Sequence, residues 1–206
     1  MLIGLTGKYC AGKNYAAAIL EKYGLPVLDV DKLGHKALED KKDEVFSRFG
    51  NEVKNQDGSV NRRLLKKKVF GKKEAITALE AIVHPQADRM ALEWIRLQNG
   101  KPCVINAALL HKMAVFRQFN CILLVDAPFL TRLLRAKRRD RLSWISILRI
   151  MMSQKRFYLQ YLAGNADIYI VDNPGTKGFL PGSTANETKL ERRLNEIMSR
   201  LELKKQ

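Results

Sequence analysis

Cysteine is scarce in this chain, and the cysteines that are present lie far apart. Among 206 residues there are three, Cys10, Cys103 and Cys121. They form no CxxC pair and no cluster with histidine, so neither a zinc site nor a disulfide framework is indicated. This cysteine usage is typical of a reducing compartment, and we predict a cytoplasmic location.

Long apolar runs are also missing. The longest lies near Ile122–Val125, far short of the roughly 20 residues that span a bilayer as a helix. The first residues, Met1–Thr6, have no basic region before them, which indicates a first strand rather than a signal peptide. We therefore expect no membrane association. The hydrophobic fraction of 46% argues against a disordered or fibrous protein.

Acidic residues are few, with 21 Asp and Glu against 37 Lys and Arg, which leaves a net charge of +16. Such an excess is typical of proteins that bind nucleic acid or an acidic surface, but a polyanionic small substrate also requires several cations. The lysines between Lys66 and Lys73 most simply form a solvated helix face. No basic stripe interleaved with aromatic residues is present, so we expect a small-molecule partner and no nucleic acid.

Short apolar runs alternate with helical patterns along the chain. The predicted strands are Leu2–Thr6, Val27–Asp31, Val104–Ile105, Ile122–Val125 and Ile168–Val171, and the predicted helices are Gly12–Tyr23, Asn61–Phe70, Lys73–Gln98, Pro128–Arg138 and Trp144–Leu162. The helix Lys73–Gln98 is expected to break or kink at His84-Pro85. This alternation predicts an α/β fold with a parallel sheet covered on both faces.

The C-terminal part of the chain reads as a loop followed by one more helix. Residues 173–186 are rich in Gly, Pro, Ser, Thr and Asn, which predicts a loop. Thr184 and Glu187 have the spacing of a capping box, so a last helix is predicted over about residues 184–204. Its apolar residues step by three and four positions and share one face; they are Leu190, Leu194, Ile197 and Leu201.

A glycine-rich segment directly follows the first predicted strand and precedes the first predicted helix. It reads Gly7, Lys8, Tyr9, Cys10, Ala11, Gly12, Lys13, Asn14 and matches G-x-x-x-x-G-K, but lacks the Ser or Thr that usually follows. Its backbone N–H groups and the helix N-terminus are suited to hold phosphate oxygens, and Lys13 to reach the β- and γ-phosphates. Asn14 offers an amide oxygen to Mg²⁺ in place of the usual hydroxyl. The alternative is a plain glycine-rich turn, and Cys10 is either a small loop residue or a redox-sensitive thiol.

Two acids stand at the end of the second predicted strand. Asp29 and Asp31 lie on one face if the strand continues through both. They would then reach the carboxyl edge of the sheet, where α/β folds bind ligands and where an aspartate can orient or deprotonate an attacking hydroxyl. Alternatively, one of them caps a helix that begins near Lys32.

Further short segments follow in a specific order between Met1 and about Asn173. They are Ile3–Gly7, Leu28–Asp31, Phe49-Gly50, Asp57–Arg62, Val69-Phe70, Leu79–Pro85, Leu109-Leu110, Val125-Asp126, Arg135, Arg139-Asp140, Arg149–Met151, Ser153-Gln154, Asp172-Asn173 and Gly175. Single segments are weak signals, but their order and spacing resemble the dephospho-CoA kinase family rather than adenylate or shikimate kinases. The resemblance implies a three-layer P-loop kinase fold, ATP and Mg²⁺ as cofactors, and phosphorylation of the ribose 3′-hydroxyl of dephospho-CoA, the last step of CoA biosynthesis.

The same resemblance implies roles for individual residues. Asp31 would orient or deprotonate the 3′-hydroxyl, and Asp29 would also contact the substrate. Arg139, with Arg135, would stabilise the transferring phosphoryl group from a basic lid. Two residues, Arg62 and His84, would lie in the acceptor region. The alternative for the arginines is a solvated basic helix, and for His84 a histidine that packs or caps at a helix kink.

Several positions depart from the family pattern. Asn14 and Asn106 stand where a hydroxyl residue and an acid are usual, and Lys112 stands where a glutamate is usual. Ala108 replaces a proline, and Asp88 an arginine. These departures leave open a nucleotide-binding relative that has lost catalysis, a kinase for another acceptor such as a nucleoside or RNA end, and an RNA-binding P-loop protein.

The length fits one kinase domain covering residues 1–206. Within it we expect a CoA-binding helical region at about residues 40–100 and a lid at about residues 128–156. We expect a monomer or a weak homo-oligomer.

Overall fold

A computed structural model describes residues 1–154, 156–162, 164–174 and 188–203 of the chain. These residues form two compact units: Met1–Leu28 together with the described residues from Gly100 onward, and Asp29–Asn99. Among the described residues, no helix combines the length and the apolar character needed to cross a membrane.

The elements alternate along the chain as the apolar pattern predicts. The strands are β1 (Leu2–Gly7), β2 (Val27–Asp29), β3 (Cys103–Asn106), β4 (Cys121–Asp126) and β5 (Asp167–Asp172). The helices are α1 (Lys13–Glu21), α2 (Val30–Asp40), α3 (Lys42–Phe49), α4 (Arg62–Val69), α5 (Lys73–Leu97), α6 (Phe129–Asp140), α7 (Trp144–Ser153) and α8 (Lys189–Arg200).

The first unit is built on a five-stranded parallel sheet in the order β2-β3-β1-β4-β5. Every residue of β1 is buried, because β3 and β4 pair with it on either side and both faces of the sheet are covered. On one face Ile3 and Leu5 pack with apolar residues of α1 and α8. On the other face Gly4 lies under the side chains of Leu110 and Phe119. The predicted three-layer α/β class is confirmed.

Helix α8 presents the predicted apolar stripe to this core. Leu190, Leu194 and Ile197 are buried, and Leu201 packs against the same cluster. The helix begins at Lys189 with a capping box, in which the side chain of Thr188 accepts from the N–H of Glu191 while that of Glu191 accepts from the N–H of Thr188. The capping box predicted at Thr184 and Glu187 falls outside the described residues.

The second unit is helical and has its own apolar core. Helices α2 to α5 bury Leu38, Val45, Phe49 and Leu65, with Ile82 packed against them. Helix α4 begins where predicted, because the Asn61 side chain accepts a hydrogen bond of 3.0 Å from the N–H of Leu64.

Three predicted boundaries differ in the structure. Strand β2 ends at Asp29 and Asp31 lies in the first turn of α2, so the strand through both acids is wrong and the alternative, a helix cap, is confirmed at Asp29. Helix α5 continues through Pro85, so the predicted break is wrong, while the alternative of a kink stays a prediction; α2 and α4 both pack on this helix. Helix α7 ends at Ser153, because Phe157 and Tyr161 turn inward and their rings pack together.

Candidate functional site

The glycine-rich segment forms the turn from β1 to α1, as its sequence predicts. Gly7 ends β1 and Lys13 begins α1. Gly12 stands before the helix with φ of 103°, a left-handed conformation that glycine adopts without steric cost. No side chain of the described residues caps this helix start, so its first turn and positive dipole end are suited to an anion.

The first residues of this phosphate loop are held against the end of β4. The N–H of Lys8 donates to the carbonyl of Val125 at 3.2 Å. A Cβ on Gly7 would lie 2.7 Å from that same carbonyl, so only glycine allows this approach. The Lys8 ammonium lies 2.8 Å from Asp126 Oδ2 and 4.3 Å from the ring centroid of Tyr158. The Lys8 side chain is thus bound in an ion pair at the base of the loop.

Asp126 is the acceptor in this arrangement. It also receives hydrogen bonds from the hydroxyl of Tyr158 and the N–H of Ala127. Burial raises the pKa of Asp126, but the hydrogen bonds from Lys8 and Tyr158 outweigh burial and hold that pKa below the usual aspartate value. The carboxylate is therefore charged at neutral pH and fixed in place.

The middle of the loop contacts the basic segment that contains α6 and α7. The N–H of Tyr9 donates to Gln154 Oε1 at 2.8 Å, and the Tyr9 hydroxyl donates to Asp140. Burial, together with that hydrogen bond, raises the pKa of Tyr9 to about 12. Cys10 is half-buried beside this contact, and burial raises the pKa of its thiol, which opposes the redox-sensitive alternative.

The two predicted lid arginines have different partners. Arg139 forms a two-pronged ion pair with Asp140, at 2.7 Å and 2.9 Å, and its guanidinium lies 5.2 Å from the ring centroid of Tyr9. The hydrogen bond to Asp140 raises the pKa of Arg139. Arg135 instead donates to the carbonyl of Ala11 at 3.1 Å and to Asn173. Both cations thus lie beside the phosphate loop, but Arg135 is bound to its backbone.

Asn14 and Asn106 bring two amide groups together behind the loop. Asn106 Nδ2 donates to Asn14 Oδ1 at 3.4 Å. Asn106 is 2% exposed. Among the described residues no donor reaches its Oδ1. A buried amide oxygen without a partner costs about 1–3 kcal/mol unless a ligand, ion or water satisfies it. The described residues contain no cluster of three or more His, Cys, Asp or Glu suited to a metal.

The predicted acceptor residues all belong to the second unit. The Asp29 side chain accepts from the N–H groups of Asp31 and Lys32, at 3.0 Å and 3.3 Å, so Asp29 is the cap of α2. Asp31 is exposed in the first turn of that helix. Arg62 is the exposed first residue of α4, and His84 is half-buried within α5.

Sequence reasoning assigned no role to Asp126, Tyr158 or Asn173, which hold the loop. A signal for two of them exists: Asp126 ends β4 and Asn173 directly follows β5. Since parallel strands end at the same edge of a sheet, polar residues at those ends are candidates to meet the loop after β1. Tyr158 carries no such signal, because its place depends on how the chain turns after α7.

A family model and a curated relative match most of the chain. The family model described as dephospho-CoA kinase matches residues 1–176. A relative from Treponema denticola, named dephospho-CoA kinase, is 33% identical over 200 residues, which cover 92% of this chain and 89% of that protein.

Solved structures with the same fold include two bacterial proteins. A Thermus thermophilus protein superposes with a TM-score of 0.77 at 30% identity, covering 98% of this chain and 97% of that one. The dephospho-CoA kinase from Campylobacter jejuni superposes with a TM-score of 0.69 at 20% identity, covering 97% and 96%. The solved structures show the shared fold, and the family match over residues 1–176 together with the Treponema relative shows that the chain belongs to the dephospho-CoA kinase family.

Proposed function

We propose that this protein transfers the γ-phosphoryl group of ATP to the ribose 3′-hydroxyl of dephospho-CoA, giving CoA and ADP. The observation that carries the proposal is the phosphate loop at Gly7–Asn14, set between β1 and α1 in a chain of this family. The substrates are small polyanions, which suits the net charge of +16.

The loop and the start of α1 bind the phosphates in this proposal. The N–H groups of the loop and the helix start donate to phosphate oxygens, and Lys13, the first residue of α1, places a positive charge among them. In phosphoryl transfer most of the catalysis comes from such positioning and charge stabilisation. The exposed guanidinium of Arg139 is the second cation, and it exchanges Asp140 for the transferring group as the nucleotide binds.

Asp31 is the residue proposed to act on the acceptor. Asp31 is an exposed residue in the first turn of α2, the helix that begins directly after β2. An aspartate at this position in a chain of this family supports Asp31 as the group that orients or deprotonates the 3′-hydroxyl. Arg62 and His84, in the same unit, are proposed to contribute to acceptor binding.

The amide oxygens of Asn14 and Asn106 fit a hard cation. Oxygen donors are the ligands of Mg²⁺, and Asn106 Oδ1 is buried with no donor to satisfy it among the described residues. These two side chains would hold the metal together with substrate oxygens and water, and Mg²⁺ would neutralise phosphate charge there. The two neutral amides supply no negative charge of their own, so a requirement for high Mg²⁺ concentration is expected.

We propose that both units work as one kinase domain, in which residues of about 40–100 serve acceptor binding and those of about 128–156 form a basic lid. A nucleotide-binding relative with weakened catalysis is the second candidate. The observation that favours it is the Asn14–Asn106 amide pair.

Purified protein supplied with Mg-ATP and dephospho-CoA tests the function. Formation of CoA and ADP in equal amounts supports it, with Lys13→Ala as the inactive control. ATP binding without CoA formation at any Mg²⁺ concentration supports the weakened relative. ADP formation only with another acceptor, such as a nucleoside, contradicts dephospho-CoA as the substrate.

A further inference from the structure

The carbonyl of Ala11 is the point at which other elements hold the phosphate loop. Ala11 is fully buried and lies between Cys10, with φ of 58°, and Gly12, with φ of 103°. Left-handed conformations on both sides make this the most constrained part of the turn. Such a turn persists only where its surroundings hold it, so the contacts of Ala11 matter for the geometry of the loop.

Two side-chain donors converge on that carbonyl. Asn173 Nδ2 donates to it at 2.8 Å, and Arg135 Nη1 donates at 3.1 Å. The donors are also joined to each other, since Arg135 Nη2 donates to Asn173 Oδ1 at 3.3 Å. Ala11, Arg135 and Asn173 therefore form one closed set of hydrogen bonds.

Asn173 is itself fixed by the sheet. It directly follows β5, its N–H donates to the carbonyl of Asp126 at 2.7 Å, and its residue is 7% exposed. Its side chain is thus carried at the end of β5, beside the buried strand β4. Sites carried by strands and helices are held more precisely than sites on loops, which suits positioning of this kind.

Asn173 and Gly12 also fit each other in shape. A Cβ built on Gly12 would lie 2.2 Å from Asn173 Nδ2, so the amide occupies the space that any other residue at position 12 would need. The glycine of the loop therefore serves two requirements, the left-handed turn and the close approach of Asn173.

From these contacts we infer that Asn173 is a positioning residue of the phosphate loop, acting through the Ala11 carbonyl and through Arg135. It holds the turn at Gly12 in the conformation that directs the N–H groups of α1 toward the phosphates. This inference rests on the proposed role of the loop in binding ATP, and it assigns Arg135 to the loop backbone as well as to the lid.

The test compares two asparagines of the same unit. Asn173→Ala removes both side-chain contacts of the positioning residue. Asn120→Ala is the matched control, since Asn120 Oδ1 accepts from the N–H of Leu2 at 2.6 Å, at the start of β1 rather than its end. Asn173→Asp keeps the shape and the acceptor for Arg135, but sets a carboxylate oxygen against the Ala11 carbonyl.

ATP affinity is measured by calorimetry without dephospho-CoA, and stability by urea unfolding. Loss of a net hydrogen bond corresponds to about three- to tenfold in affinity. We expect ATP affinity to fall by at least that factor in Asn173→Ala and Asn173→Asp. In Asn120→Ala it should fall by less than about twofold. Hydrogen exchange of the Gly7–Asn14 segment in nucleotide-free protein should be faster in the Asn173 variants only.

The inference is overturned if a folded Asn173→Ala or Asn173→Asp protein binds ATP as wild type does. It is also overturned if the Asn173 and Asn120 variants show the same relation, in which ATP affinity falls only as far as the free energy of unfolding falls. Because the acceptor is absent, a wild-type protein that binds ATP yet fails to make CoA would count against the proposed function alone.

Discussion

Lys8 and Asp126 form an ion pair across the base of the phosphate loop, with Nζ 2.8 Å from Oδ2 and each side chain only 18% exposed. The pair joins the residue after β1 to the last residue of β4. Because Lys8 is bound in this way, we propose that its side chain supports the loop, and its place among the ATP-binding residues stays a prediction.

Breaking this pair should destabilise the protein. Lys8→Met leaves a partly buried carboxylate with one partner fewer, and we expect a loss of about 1.5–3 kcal/mol in the free energy of unfolding. Asp126→Asn should cost a similar amount. The double variant should lose less than the sum of the two, since each single change already removes the pair; urea unfolding of all four proteins measures this coupling. Additive losses would mean that the two residues act independently.

The pair also predicts how stability depends on pH. The pKa of Asp126 is lower in the folded protein than its ordinary value of 3.8. A group with a depressed folded pKa stabilises the native state above its unfolded pKa and loses that contribution as pH falls through the folded pKa. Between pH 7 and values below 3.8, the free energy of unfolding should therefore decrease as the pH falls. This decrease should be smaller in Asp126→Asn. An unchanged acid profile in that variant would contradict the assignment.

Lys13→Ala should nearly abolish phosphoryl transfer without unfolding the protein. Lys13 opens α1 at the end of the loop, and removal of a group that stabilises transition-state charge typically costs about 10²-fold or more in kcat. The control is Lys22→Ala, which removes an exposed lysine just beyond the other end of α1. CoA formation is followed by a coupled assay, and near-wild-type turnover of folded Lys13→Ala would reject the site.

Asn14→Thr or Asn14→Ser should preserve or raise activity. Either variant should also bind Mg²⁺ more tightly, so that a lower Mg²⁺ concentration gives half-maximal activity. A hydroxyl is the usual ligand at this position, and Mg²⁺ demands close oxygen geometry. These variants would lose the contact between Asn106 Nδ2 and Asn14 Oδ1. In the double variant Asn14→Thr with Asn106→Asp the hydroxyl donates to a carboxylate instead, so the Mg²⁺ dependence of activity should change most in that variant. Activity is measured across a Mg²⁺ series. A collapse of activity in both single variants would show that Asn14 has another role.

Arg139 and Arg135 should affect different parameters. Arg139→Met removes an exposed cation that is free to leave Asp140, and should lower kcat more than ATP affinity. Arg135→Met removes a donor to the Ala11 carbonyl, and should weaken ATP binding more. Calorimetry and initial rates on both variants separate the two effects, and the same pattern in both would contradict the division of roles.

Asp31→Asn should lower kcat far more than it weakens ATP binding, and should do more damage than Asp29→Asn. An amide keeps the size of Asp31 but accepts no proton, and positioned base catalysis contributes about 10²–10⁴-fold. Asn is as good a helix cap as Asp, so Asp29→Asn should change little, whereas Asp29→Ala should cost about 1 kcal/mol of stability. ATP affinity is measured by calorimetry and CoA formation by a coupled assay. Equal, mild losses of activity in Asp29→Asn and Asp31→Asn would mean that Asp31 is structural.

Element boundaries show where reading the sequence was insufficient. The acids at Asp29 and Asp31 suggested a longer β2, but the Asp29 carboxylate accepts from two N–H groups and starts α2 there. His84-Pro85 suggested a break or a kink, but α5 runs through it, and Ile82 and Val83 just before it pack against the core of the second unit. At Asp29 the outcome is a local helix cap, which the sequence offered as an alternative, whereas at Pro85 the helix continues within packing that the sequence does not display.

The sequence by itself determined the parallel α/β class, the phosphate loop and the amphipathic face of α8, because each depends on residues that are neighbours along the chain. Only the tertiary structure decided which groups hold that loop. Lys8 meets Asp126, 118 residues away, and Ala11 meets Asn173, 162 residues away. Such partners are chosen by strand order, since β4 lies beside β1 and β5 beside β4, and their ends bring distant polar residues to one edge of the sheet.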